Sequence, residues 1–137
     1  MRNLAEFEGY ADRFVVTESD LIERGLSRNK DAQFVAWVSE VDGLLQGYAV
    51  VYVIPFTFDL RPTVVLKELF VADAVRSRGC GHELFAAVVQ YALSLDARLL
   101  RWQVMPQNDG AKRFYRRCGG RVDVDWESWV RDINSSE

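Results

Sequence analysis

A short loop carries the clearest chemical signal in this 137-residue sequence: Arg76-Ser77-Arg78-Gly79-Cys80-Gly81. It lies between an apolar run at residues 66–71 and a stretch with helical spacing at residues 82–95. Backbone N–H groups at the start of a helix lack intrahelical acceptors, and the helix dipole adds partial positive charge there. Glycines let a phosphate approach the backbone, and arginines add charge-assisted donors. The loop therefore predicts an anion site.

Spacing alone leaves a second interpretation of this loop open. A third glycine at the dinucleotide-binding spacing is missing, and no Gly-Lys-Ser/Thr follows, so neither of those phosphate motifs applies. An ordinary strand-to-helix turn with two surface arginines accounts for the same residues equally well.

The surrounding pattern predicts a mixed α/β domain built on a single sheet. Helices are predicted at residues 3–10, 17–24, 82–95 and 109–117, and strands at residues 33–40, 44–54, 63–71, 98–105 and 121–130. Asp42-Gly43 is a strong hairpin signal, Gly47 indicates a bulge or a close backbone approach, and Asn108 is a good N-cap. The order predicts antiparallel pairing early and a parallel crossover around the loop.

Composition excludes several classes of function. Apolar residues make up 49% of the chain and charged residues 27%, with a net charge of −3, which is ordinary for a globular domain and gives no case for nucleic acid. No apolar run is long enough to span a membrane. Two cysteines and one histidine favour neither a disulfide framework nor a metal site, so a reducing cytoplasm is expected. We interpret Cys80 as a buried space-filling side chain rather than a nucleophile.

Three stretches together resemble the GNAT acetyltransferase superfamily. Leu66-Lys67-Glu68-Leu69-Phe70-Val71 is similar to the family's fourth strand, and Arg76-x-x-Gly79-x-Gly81 fits its loop for the coenzyme A pyrophosphate. Asn108-x-x-Ala111-x-x-Phe114-Tyr115-x-x-x-Gly119 resembles the signature on the helix after the fifth strand. The resemblance implies a GNAT-like mixed α/β (α+β) sheet, mostly antiparallel, with splayed central strands flanked by helices.

The chain is most similar to the diamine (spermidine/spermine) N-acetyltransferase-like branch, with two departures. Family members begin with a strand before the stretch that resembles Leu4-Ala5-Glu6, and that strand is missing here. We therefore expect one acetyltransferase domain, residues 1–137, short at its N-terminus. Lys67 stands where the polyamine branch carries a glutamate, and a cation there opposes a polycation.

The resemblance implies direct attack of an amine on acetyl-CoA. The exposed edge at residues 69–71 would pair with the pantetheine arm, and the Val71 N–H would donate to the thioester carbonyl. Tyr115 is the implied proton donor to the leaving thiolate, because a phenol stays protonated at neutral pH. Glu68 is a candidate general base, with water or a remote acid as the alternative. Strand alternation predicts that only one of Lys67 and Glu68 faces the cavity.

The remaining site residues follow from the same resemblance. The predicted coenzyme-binding residues are Leu69, Phe70, Val71, Arg76, Ser77, Arg78, Gly79, Cys80, Gly81, His82, Asn108, Ala111 and Arg117. Glu8, Asp59 and Lys67 are the predicted acceptor-binding residues. For each of these charges, a solvated surface position is the alternative. No metal is expected.

The function expected from the resemblance is N-acetylation of the primary amine of a small molecule, either polyamine-like or lysine-like, with acetyl-CoA as co-substrate. Two alternatives share the fold: a catalytically idle acyl-CoA-binding regulatory module, and an interaction protein that recruits a partner through an exposed sheet edge. The family also implies a homodimer, without a nucleic acid or membrane partner.

Overall fold

The computed structural model describes Met1 and residues 32–56, 59–76 and 78–133. The helices predicted at residues 3–10 and 17–24 lie outside the described residues, as do Glu8 and Ser77. The chain divides into two compact units, Met1–Gln103 and Val104–Glu137.

The first unit is built on a four-stranded sheet in the order β1-β2-β3-β4. The strands are β1 (Val35–Val41), β2 (Leu44–Ile54), β3 (Thr63–Val71) and β4 (Leu99–Arg101). The first three are antiparallel neighbours, and β4 runs parallel to β3. The predicted mixed sheet with a parallel crossover is therefore confirmed.

The β1–β2 hairpin turns at Asp42 and Gly43, whose φ angles are 54° and 79°. Positive φ at both central residues is what a two-residue turn needs to match the twist of its strands. A register shift follows: Ser39 pairs with Gly47 and Glu40 with Leu45, so one extra residue lies on β2. The predicted hairpin and the bulge beside Gly47 are both confirmed.

One helix of the first unit, α1 (Cys80–Ser94), covers one face of this sheet. It begins two residues earlier than the sequence predicts. Its buried stripe carries Leu84, Phe85, Val88 and Ala92, and Val88 is fully buried together with Val51 and Val64 of the sheet. Tyr91 meets Trp37 of β1 edge to face, with ring centroids 5.2 Å apart. None of the helices in the described ranges is long and apolar enough to cross a bilayer.

Strand β4 is much shorter than the predicted strand at residues 98–105, which is wrong beyond Arg101. Only three residue pairs join β4 to β3. Trp102 packs against Phe85 of α1 instead, with the ring centroids 5.4 Å apart. The alternation of apolar residues does not show where strand pairing ends, because the contact that replaces it, Trp102 on Phe85, involves a residue distant in sequence.

The second unit contains α2 (Asp109–Arg117), which matches the predicted helix. The strand predicted at residues 121–130 is wrong: the structure assigns no strand within residues 118–133. Val122, Val124 and Trp126 are 71%, 84% and 74% exposed. A strand is stabilised by a ladder to a neighbour, and none of the described residues supplies that neighbour.

We expect Gly47→Ala to lower the free energy of unfolding by about 1–3 kcal/mol, because overpacking of a close contact forces the backbone to shift. An added Cβ would lie 3.0 Å from the Phe70 carbonyl oxygen and 3.2 Å from Leu84 Cδ1. Urea unfolding followed by tryptophan fluorescence measures the change.

Gly110→Ala is the matched control, since its Cβ would make only ordinary contacts at 3.8 and 3.9 Å. It should leave stability unchanged or raise it by up to about 1 kcal/mol, because alanine restricts the unfolded chain. Equal stability of the two variants would contradict the close approach at Gly47.

Candidate functional site

The open edge of β3 is the first feature of the candidate site. On one side β3 pairs with β2 along its length, while on the other it pairs with β4 only from Thr63 to Val65. Among the described residues, no strand pairs with that side of β3 beyond Val65. The sheet therefore splays as the resemblance implies and exposes backbone groups that an extended ligand can pair with.

The direction of the Val71 amide follows from the residue after it. The Ala72 N–H donates to the Gln46 carbonyl oxygen at 2.7 Å, so it faces β2. Backbone groups alternate along a strand, and the N–H and C=O of Val71 are therefore directed toward the open edge. Leu69, Phe70 and Val71 are all partly exposed.

A bulge interrupts β3 in the middle of this edge. Val51 pairs with Leu66 and Val50 with Glu68, which leaves Lys67 as the extra residue. Bulges re-aim the side chains around them. Nζ of Lys67 lies 3.3 Å from Oε1 of Glu68, so these two consecutive residues form an ion pair. The strict alternation expected from the sequence does not hold at this point.

Glu68 is an unusual residue for the middle of a sheet. Its side chain is 7% exposed, whereas that of Lys67 is 53% exposed. Its second carboxylate oxygen, Oε2, is buried and has no hydrogen-bond partner among the described residues. Buried acceptors are nearly always bonded, so an orphaned one calls for an explanation.

The N-terminus of α1 is the second feature of the site. Gly79 is its N-cap, with φ of 84° and no side-chain capping bond among the described residues. The first intrahelical bond is from the Glu83 N–H to the Gly79 carbonyl, at 2.9 Å. A Cβ on Gly79 would meet nothing within 4 Å, so the space in front of this backbone is open. These properties suit a bound anion.

The side chain of Arg76 is engaged within the protein, which the sequence does not predict. The Arg76 guanidinium donates from Nε to the Val71 carbonyl at 3.0 Å and pairs through Nη1 with Asp73 at 2.5 Å. Its backbone N–H donates to the Asp73 carbonyl, and that of Arg78 to the Val75 carbonyl, each at 3.3 Å. Arg76 therefore fastens the loop to the end of β3.

Those bonds engage the backbone amides of Arg76 and Arg78, whereas no described bond engages the amides of Gly79, Cys80 and Gly81, which are therefore candidate anion donors. Cys80 is 6% exposed, which agrees with its interpretation as a space-filling side chain, and His82 lies exposed in the first turn. Sequence reasoning missed Asp73, although its spacing of three residues from Arg76 is a signal for an ion pair.

The second unit holds the other group of predicted site residues. Asn108 caps α2, accepting the Ala111 N–H on Oδ1 at 3.1 Å, so the predicted N-cap is confirmed. Tyr115 is partly buried beside Phe114, with ring centroids 5.2 Å apart. Arg117 lies exposed in the last turn. Burial raises the pKa of the adjacent Cys118 thiol, and Arg117 opposes that shift.

Asp59 lies away from Lys67 and Glu68. Its carboxylate pairs with Arg98 at 2.6 Å and accepts the Arg61 N–H at 3.2 Å. Arg98 also donates its backbone N–H to the Pro62 carbonyl, at the start of β3. Glu68 is five residues further along this strand, roughly 16 Å at the usual rise per residue. The structure brings Lys67 and Glu68 together and does not bring Asp59 to them.

No group of three or more His, Cys, Asp or Glu side chains suited to a metal ion occurs in the part of the chain that the structure describes.

Comparison with known proteins gives a consistent result. Residues 2–120 match the model of the acetyltransferase (GNAT) family. The thialysine N-epsilon-acetyltransferase of Sus scrofa is 27% identical over 135 residues, covering 94% of this chain and 79% of that protein. An uncharacterized N-acetyltransferase of Archaeoglobus fulgidus is 33% identical over 91 residues, covering 66% of this chain and 60% of that protein.

Solved structures agree on the fold. An aminoglycoside acetyltransferase from an uncultured soil metagenomic sample, in complex with sisomicin, superposes with a TM-score of 0.77 at 18% identity, covering 96% of this chain and 85% of that one. An aminoglycoside N-acetyltransferase in complex with CoA gives a TM-score of 0.69 at 18% identity, covering 85% and 79%. With the family match across residues 2–120, the chain belongs to the GNAT family of acetyl-CoA-dependent N-acyltransferases.

Proposed function

We propose that this protein transfers the acetyl group of acetyl-CoA to the primary amine of a small molecule, polyamine-like or lysine-like, by direct attack. One observation carries the proposal: the open edge of β3 is followed along the chain by the N-terminus of α1, which no described side chain caps. An extended arm that carries amide groups fits the first feature, and a pyrophosphate fits the second. Acetyl-CoA combines both groups and supplies the acetyl group as a reactive thioester.

The backbone of β3 would orient the thioester. The Val71 N–H faces the open edge and is a suitable donor to a carbonyl oxygen that gains negative charge during attack. A fixed donor of this kind stabilises the developing charge without reorganisation. The bond from Arg76 to the Val71 carbonyl holds this end of the strand against the loop.

Glu68 is the proposed general base. A primary amine is protonated at neutral pH and must lose a proton before it attacks. Oε2 of Glu68 is a buried acceptor without a partner among the described residues, and it lies on the strand whose open edge would hold the thioester. Lys67 keeps the other oxygen occupied.

Tyr115 is the proposed acid that protonates the leaving thiolate. Its support comes from its position in the family signature, on a helix that Asn108 caps. Acceptor binding by Lys67, and by Glu8 and Asp59, stays a prediction, as do a homodimer and a cytoplasmic location. The thialysine N-epsilon-acetyltransferase and the aminoglycoside acetyltransferase that this chain resembles are both named for acceptors that carry amines, which supports an amine acceptor here.

Amine-dependent release of free thiol from acetyl-CoA tests the proposal. The assay requires a panel of small primary amines, with mass spectrometry of the acetylated product. Binding of acetyl-CoA without release for any amine would favour a catalytically idle module. Absence of thermal stabilisation by acetyl-CoA would count against both.

Gly79→Asp should weaken acetyl-CoA binding by at least about tenfold, or about 1.4 kcal/mol. The added carboxylate would enter the open space in front of the α1 amides and repel a pyrophosphate. Gly43→Asp is a close control, because Gly43 has φ of 79° against 84° and equally open surroundings. Isothermal titration calorimetry should show normal binding for the control. Equal losses in both variants would mean that the loop does not hold the anion.

Glu68→Gln should lower kcat/KM by roughly 10²–10⁴-fold, the usual contribution of a general base. The loss should shrink as pH rises, because more of the acceptor then arrives already deprotonated. Initial rates across a pH series measure this, with Glu40→Gln on the exposed part of β1 as the control. A loss that stays constant with pH would remove Glu68 from the proton transfer.

Tyr115→Phe should lower kcat by roughly 10²–10⁴-fold and leave the Kd for acetyl-CoA nearly unchanged, since the hydroxyl acts only when the thiolate leaves. Steady-state kinetics and calorimetry separate the two quantities. Tyr91→Phe, at the contact of α1 with Trp37, removes a hydroxyl without touching the proposed chemistry. Unchanged turnover of the Tyr115 variant would exclude this residue as the acid.

A further inference from the structure

The ion pair between Lys67 and Glu68 engages only half of the buried carboxylate. Nζ of Lys67 lies 3.3 Å from Oε1, while Oε2 has no partner among the described residues. The carboxylate is 7% exposed, and the lysine side chain is 53% exposed. One oxygen therefore has the lysine ammonium beside it, and the other is a buried acceptor without a described partner.

This arrangement discriminates between ligands by charge. A cation bonded at Oε2 would lie within a few ångströms of Lys67 Nζ, because both oxygens belong to one carboxylate. Like charges at that distance repel, and burial of Glu68 weakens the screening by solvent. Every primary amine reaches Oε2 as an ammonium at neutral pH, so this repulsion is common to all acceptors, and the discrimination comes from the second group that the acceptor carries. A second cation on the same molecule would be repelled by the exposed lysine. An anionic group on the same molecule would be attracted by the exposed lysine.

We propose that Lys67 is a specificity-determining residue that selects acceptors carrying an anionic group, such as a carboxylate, in addition to their primary amine. It discriminates against polycations for the same reason. This role rests on the proposed acetyl transfer, and it narrows the acceptor class from polyamine-like or lysine-like amines to amines that bear an anion. The bulge in β3 is what places the lysine charge next to Glu68.

Three acceptors of equal chain length test this role in the unaltered protein: 5-aminopentanoate, pentylamine and 1,5-diaminopentane. We expect kcat/KM to fall in that order, with roughly tenfold or more between the first and the last. Raising the salt concentration should narrow the difference, because the lysine charge is partly exposed. Thermal shifts of the protein with CoA and each amine should follow the same order without any turnover.

Variants at Lys67 then test whether this side chain causes the order of kcat/KM among the three amines. Lys67→Arg should keep it, Lys67→Gln should compress it to within about threefold, and Lys67→Glu should favour the diamine. Arg61→Gln is the matched control, since Arg61 is also an ion-paired cation of the sheet unit but pairs with Asp96, away from Glu68. It should leave the order unchanged.

The outcomes separate this role from the proposed function. No thiol release with any amine would remove the proposed acetyl transfer, and the thermal shifts would still decide the role of Lys67. Equal shifts for the three amines, or no shift with any of them, would overturn it. The specificity role of Lys67 would also be overturned if the Lys67→Gln variant kept the wild-type order of kcat/KM among the three amines. The measurements on the unaltered protein decide the matter even if a variant fails to fold.

Discussion

The site depends on one constraint, which is that beyond Val65 β3 pairs with a described strand on one side only. Its ladder to β4 ends at Val65, while its ladder to β2 continues to Val71. The edge is therefore open over the last part of the strand, although the strand itself is held firmly. An exposed edge is usually a risk for aggregation, and here it leads into a glycine loop and a helix N-terminus.

The bulge at Lys67 gives this edge its chemistry. A regular strand would direct successive side chains to opposite faces, with the charges of Lys67 and Glu68 held apart. The extra residue lets Nζ reach Oε1, while the second oxygen of the buried carboxylate has no hydrogen-bond partner in the part of the chain that the structure describes. The same strand thus supplies backbone donors at its edge and the side chain that we propose as the proton acceptor. Neither depends on a mobile loop, which favours accurate positioning.

Sequence patterns predicted the elements whose signals are local. The turn at Asp42-Gly43, the cap at Asn108 and the glycine loop each depend on a few neighbouring residues, and the structure has all three. The mixed sheet was predicted from the order of the helices and strands along the chain. The positions of Glu68 and Tyr115 as candidate catalytic residues came from the family resemblance, because neither is distinguishable from a packed or surface residue by spacing alone.

The features that sequence patterns missed depend on contacts between distant residues. The alternation at residues 121–130 predicts a strand, yet no described residue pairs with it. The same limit applies to β4, where Trp102 packs on Phe85 instead of extending the ladder. The bulge at Lys67 is a register shift against β2, which no single segment encodes. Ion pairs also changed the interpretation of Arg76 and Asp59. The sequence predicts that both bind ligands, whereas in the structure Arg76 pairs with Asp73 and Asp59 pairs with Arg98.

Glu68 is unfavourable for the stability of the fold, and its proposed role as a general base accounts for a carboxylate at this buried position. Leaving a buried polar group without a partner typically destabilises a fold by about 1–3 kcal/mol, and more for a charged group. An apolar side chain of similar volume would avoid this cost, since replacing a buried ion pair by apolar residues is often neutral or stabilising. The neighbours Leu66 and Val50 are themselves buried apolar residues, so the local packing does not require a carboxylate. A carboxylate that Lys67 holds on one oxygen, with no described partner on the other, would suit the proposed deprotonation of an incoming amine.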